Sequence, residues 1–167
     1  MHADPIPCLI LACGNTLRED DGIGPHLAHW AVETWRSDPR IRVISRQQWT
    51  PDLAADIAAA HAVVFLDCSI DAAPGQVDVQ PIHPAAPQPA PATHYSSAPE
   101  LLALARDLYN AAPQSAFLLT IGASSLELRE ALSTAVQASL PRATALLQFT
   151  VHNLLHTSAT PRSSQSA

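Results

Sequence analysis

Three segments of this 167-residue chain carry side chains that could act together chemically. The first holds three adjacent acids, Glu19, Asp20 and Asp21, just before Gly22-Ile23-Gly24. The second is Asp67, at the end of the apolar run AVVFLDCS. The third is His94, in a proline-rich stretch ahead of the segment APELLALARDLYNA. Two carboxylates and an imidazole form a workable set for a divalent cation, and imidazole suits nickel or zinc. A carboxylate at the end of a buried strand is poorly solvated, so it seeks a cation, a proton or a hydrogen-bond donor. Plainer uses exist for each group. Asp20 and Asp21 can favour the positive end of a following helix, worth ~0.3–1 kcal/mol each. Asp67 can accept backbone N–H groups at a sheet edge. His94 is one of eight histidines and can be simply solvated.

Other chemistries find little support. Gly14, Gly22 and Gly24 do not form GxGxxG, and no P-loop follows. There is no GxSxG elbow and no HExxH. Cys13 and Cys68 fall at strand ends without a basic neighbour in sequence to lower a thiol pKa, so buried structural cysteine is the expectation. Three cysteines without CxxC spacing disfavour a disulfide framework and point to the reducing cytoplasm. A net charge of −6 disfavours nucleic acid. No apolar run approaches the ~18–20 residues that span a bilayer. The start of the chain lacks the basic region of a signal peptide.

The elements that must position these groups alternate along the chain. PCLILAC (7–13), IRVIS (41–45), AVVFLDCS (62–69) and AFLLTIGAS (116–124) read as strands, with a weaker alternating edge strand within 73–82. A helix is predicted from Gly24 to about Trp35, with Pro25 in its first turn. Another is predicted over 50–60, with Thr50 as N-cap and Pro51 at N1. A third covers 98–111 behind the cap Ser97, and a long last helix starts at Leu128, kinked or restarted at Pro141. Six prolines between 81 and 99 rule out helix or central strand there, so 81–97 is expected to be a mobile loop. One domain over 1–155 is expected, with a disordered tail at 156–167. The alternation predicts an α/β domain with a mostly parallel sheet, whose ligands bind beyond the carboxyl ends of the strands.

The sequence also resembles the hydrogenase maturation proteases, the nickel-dependent endopeptidases that trim the C-terminus of [NiFe] hydrogenase large subunits. Four landmarks carry the resemblance, in order, over about residues 8–150. They are CGNTLREDDGIG, then VVFLDCSIDAAPG, then THYSSAPELLALA, then LLTIGASSLELREALSTAVQASL. The chain departs from the family in having Ala12-Cys13-Gly14-Asn15 in place of Gly-x-Gly-Asn, and Cys68 where many members have Ala.

The resemblance implies a single three-layer α/β/α domain built on a twisted five-stranded sheet. It places the metal-contacting residues at Asp21, Asp67 and His94, with Asp20 in a supporting or capping role and Glu19 facing solvent. His83 is the alternative to His94. It implies that nickel is carried by the partner, the large-subunit precursor, and that Asp21 or Asp67 is a general base unless the metal activates the water. A non-proteolytic protein that docks a metal-loaded large subunit is the rival expectation, and a small-molecule hydrolase using a carboxylate pair is a more distant one.

Overall fold

The computed structural model describes residues 6–86 and 97–157. The apolar runs form the sheet. Strands β1 (Ile6–Cys13), β2 (Ile41–Arg46), β3 (Ala60–Ser69), β4 (Val77–Pro81) and β5 (Ser115–Gly122) lie in the order β2-β1-β3-β5-β4. All neighbours pair in parallel except β4, which runs antiparallel to β5 at one edge. An edge strand has a single ladder partner, so it tolerates Pro81 where a central strand would not.

Strand alternation divides the core in two. Cys8, Ile10, Ala12, Val64 and Leu66 face helices α1 (Ile23–Thr34) and α4 (Thr134–Thr157). Leu9, Leu11, Val63 and Phe65 face helices α2 (Leu53–Ala58) and α3 (Ala98–Tyr109). Helices thus cover both faces of a mostly parallel five-stranded sheet, as expected. Strands β1 and β3 have side chains buried on both faces, which explains their continuous hydrophobicity. Each fully buried Leu or Ile contributes about 1.5–3 kcal/mol relative to exposure.

The chain leaves β1 toward β2 on one side and then crosses back to β3 on the other. The exits of β1 and β3 therefore form the crevice where an open α/β sheet binds ligands. Asp21 follows β1, and Asp67 is the eighth residue of β3.

Ser97 accepts from Glu100 N–H while Glu100 accepts from Ser97 N–H, so α3 starts on a full capping box. Three local expectations are corrected. Helix α2 begins at Leu53 rather than Thr50, because residues 50–52 form a turn in which Thr50 and Pro51 offer carbonyls to Leu53 and Ala54. Residues 128–133 are not helical, since tertiary bonds described below hold them, and α4 begins at Thr134. Helix α4 then runs through Pro141 without restarting. His94, most of the proline-rich loop and the tail beyond residue 157 lie outside the described residues.

Candidate functional site

The first turn is shaped by close backbone approach. Gly14 adopts φ +141, and a Cβ there would stand 1.8 Å from the Asp21 carbonyl oxygen. Gly24 brings the start of α1 against the strand exits; a Cβ there would stand 2.1 Å from the Cys13 carbonyl oxygen. These contacts need glycine. Between them, Glu19–Gly22 makes one 3-10 turn, entered through Glu19 at φ 45. The three acids consequently point three ways.

Asp21 turns toward the crevice. Its Oδ2 accepts from Asn15 N–H at 2.9 Å, and its Oδ1 accepts from the Cys68 thiol at 3.8 Å. Asp20 is fully buried and turns the other way. Its Oδ1 accepts from Ser133 N–H at 2.7 Å, and its Oδ2 from Ser124 and Ser125 N–H at 2.8 and 3.2 Å. Burial alone would raise the Asp20 carboxyl, but those backbone bonds and the Ser133 hydroxyl hold it below its ordinary value. Asp20 therefore ties residues 123–133 to the first turn and does not cap α1. Glu19 does not face solvent. It is 5% exposed and meets Arg129 at 3.5 Å. The same segments join through Glu19 N–H to Arg129 O and Arg129 N–H to Leu17 O.

Asp67 meets Asp21 from the other side of the crevice. Its Oδ1 accepts from Cys68 N–H at 2.8 Å. Its Oδ2 accepts from the indole N–H of Trp49 at 3.3 Å. Burial raises its carboxyl from 3.8 to about 6, the two N–H donors pull it down, and the Asp21 charge pushes it up. Cys68 spans the pair, with its N–H on one carboxylate and its thiol on the other. Its thiol is pushed up to about 12 by burial and by Asp67 and Asp21. Burial, Asp67 and Asp21 likewise push Cys13 up to about 12. Neither cysteine is a nucleophile near neutral pH, as expected.

The described structure thus brings Asp21 and Asp67 together and leaves His83 apart. Strand β4 leaves the sheet at the end where the parallel strands begin. There His83 lines a hollow of about 150 Å³ with Ser115, Ala116 and Phe117. It is not an alternative to His94. Among the described residues, no three His, Cys, Asp or Glu side chains converge to hold a metal.

No family model matches the chain, and no curated protein matches it. Solved structures do. The hydrogenase maturating endopeptidase HybD from E. coli is 22% identical and superposes with a TM-score of 0.71, covering 87% of this chain and 92% of that one. The [NiFe] hydrogenase maturation protease HybD from Thermococcus kodakarensis is 22% identical with a TM-score of 0.63, over 86% of this chain and 98% of that one. The protease HycI from Thermococcus kodakarensis KOD1 is 20% identical with a TM-score of 0.63, over 91% and 94%. This chain has the hydrogenase maturation endopeptidase fold.

Within this maturation-endopeptidase fold, Trp49 is the positioning residue that sequence reading missed. It is 7% exposed and packs edge-on against Phe65, with ring centroids 5.4 Å apart. Its signal was faint: a lone tryptophan after β2, ahead of Thr50-Pro51. Trp49→Phe keeps the ring contact and removes the N–H from Asp67 Oδ2. It is expected to cost about 1 kcal/mol in urea unfolding. It should also move the Asp67 titration to higher pH, seen as a shift in the pH dependence of unfolding under chelator. An unshifted profile would remove Trp49 from the site.

Proposed function

We propose that this chain is an endopeptidase that removes the C-terminal extension of a [NiFe] hydrogenase large-subunit precursor after nickel has been inserted. One observation carries the reading. Two carboxylates, Asp21 and Asp67, meet at the switch-point crevice of a hydrogenase maturation endopeptidase fold. Their chemistry fits a divalent cation. Both are oxygen donors, and a cation would offset the burial and, less, the Asp21 repulsion that raise Asp67. In this reading the nickel is the substrate's cargo, and Asp21, Asp67 and His94 share it with the precursor. His94 lies three residues before the helix cap Ser97, a separation that spans at most about 10 Å.

When present, the metal supplies a Lewis acid or lowers the pKa of a bound water. The protein's own contribution is to orient and to move a proton. Asn15 N–H fixes Asp21, while Trp49 and Cys68 fix Asp67. In the metal-free protein Asp67, at about 6, is charged at neutral pH, so it can ligate the cation or, where it is left unligated, take a proton from attacking water. Three free cysteines agree with a reducing cytoplasm as the place of action. No helix among the described residues is long and apolar enough to cross a membrane.

The test is incubation with a nickel-loaded precursor, read by mass for loss of the extension. Asp21→Asn and His94→Ala should each reduce processing by about 10²-fold or more while circular dichroism stays native. Wild-type rates in His94→Ala would remove His94 from the site. An intact precursor that co-purifies with the wild-type protein would favour a docking role without cleavage.

A further inference from the structure

Seven large hydrophobic side chains are exposed among the described residues. Three of them, Leu17, Ile70 and Leu128, stand in the loops that leave the carboxyl ends of β1, β3 and β5. Those strands are neighbours, so the three side chains rim the crevice holding Asp21 and Asp67. Ile70 is 74% exposed and Leu128 is 89% exposed. Their loops are held in place. Arg129 N–H reaches Leu17 O at 3.1 Å, Glu19 N–H reaches Arg129 O at 2.7 Å, and Ala123 N–H reaches Ser69 O at 2.8 Å. Aliphatic side chains on a held backbone, left in water around a crevice, mark a surface that a partner covers.

The charge of this rim is lopsided. Segments 14–22, 46–52, 67–76 and 123–133 carry eight acids against three arginines. The other described residues carry six acids against five arginines. Away from the rim, Glu33, Asp38, Asp56 and Asp107 each meet an arginine, while Asp78 and Glu100 make no ion pair among the described residues. On the rim, Asp52, Asp71, Glu127 and Glu130 are exposed, and none makes an ion pair among the described residues. Exposed Arg18 and Arg46 on the rim also lack an ion-pair partner among the described residues, so they offset part of this charge. The rim segments still carry a net −5 against −1 for the other described residues.

We propose that this rim docks the folded surface of the precursor around the bond to be cut, and that this surface is aliphatic and basic. The proposal rests on the endopeptidase reading and adds the chemistry of the partner face. The aliphatic contacts supply affinity. The opposed charges steer encounter and make it salt-dependent.

The test is steady-state processing of the nickel-loaded precursor by three variants. They are Leu17→Ser with Ile70→Ser and Leu128→Ser, Asp71→Lys with Glu127→Lys, and the control Val32→Ser with Phe149→Ser. The first should raise KM about tenfold or more with kcat within about twofold. The second should raise KM and weaken its dependence on salt. The control should match the wild type. Unchanged KM in both rim variants, with the wild type active, would overturn the docking rim and leave the endopeptidase reading standing. A wild-type protein that neither binds nor cleaves the precursor would overturn both. Sedimentation adds a third arm: a wild-type dimer dissolved by the triple serine variant would assign the rim to a second copy and overturn the proposal.

Discussion

Asp20→Ala is expected to lose a large share of the stability of the fold without touching the crevice. Asp20 is fully buried and takes N–H bonds from Ser124, Ser125 and Ser133, more than a hundred positions away in sequence. Removing the carboxylate leaves three part-buried donors without their acceptor. At about 1–2 kcal/mol for each of these part-buried groups, the loss is roughly 3–6 kcal/mol. Whole domains hold only about 5–15 kcal/mol, so the variant should lose a large share of it and, at the low end of that range, reach its unfolding midpoint at 25 °C. Asp20→Asn keeps one acceptor oxygen and should fall between the two. The pH dependence has a fixed sign. Hydrogen bonds hold the folded carboxyl below its ordinary 3.8, so its contribution is present above that value and is lost as pH falls below it. Asp20→Asn should therefore lose less stability than the wild type in that acid range. Urea unfolding measures both effects. A midpoint for Asp20→Ala equal to that of the wild type would show that residues 123–133 are held by something else.

This acid also marks the limit of what the sequence discloses. The strand runs of β1 and β3 were legible because burial on both faces leaves no polar positions. The α3 cap was legible because Ser97 and Glu100 stand three apart, the spacing a capping box requires. Asp21 and Asp67 were legible as strand-exit carboxylates, a position fixed by topology. Asp21 was singled out from its neighbours, but the solvent expected for Glu19 and the helix cap allowed for Asp20 were not what the structure shows, since φ 45 at Glu19 sends the adjacent acids in different directions. Residues 128–133 read as helix because Leu, Arg, Glu and Ala favour helix locally. Asp20 and the Leu17–Arg129–Glu19 bonds override that preference. Trp49 escaped because its partner is 18 residues away, with a helix between them. His83 was plausible only while the direction of β4 was unknown. The antiparallel pairing decides it.

Asp67→Asn should abolish processing and, unlike Asp20→Ala, should stabilise the fold in a pH-dependent way. The folded carboxyl titrates at about 6 because burial opposes its charge, against 3.8 ordinarily. Between those values the folded chain holds a proton that the unfolded chain has released. Stability therefore falls as pH rises through the interval, and the deficit is complete above about 6. One pKa unit is worth about 1.36 kcal/mol, so the deficit is roughly 3 kcal/mol at neutral pH. An asparagine amide carries no such titration. It also leaves an N–H donor opposed to Trp49 or to Cys68 N–H, a cost that does not change with pH. The informative quantity is thus the slope: the unfolding free energy of Asp67→Asn minus that of the wild type should grow by roughly 3 kcal/mol from pH 3.5 to pH 7 under chelator. A flat difference would mean that Asp67 is not held at raised pKa, and the proton-acceptor role would lose its basis. A divalent cation that binds the ionised pair should then restore the wild type more than the variant at pH 7. The same burial that destabilises the free site favours uptake of the precursor's metal by Asp67 or, where the carboxylate is left unligated, uptake of a proton.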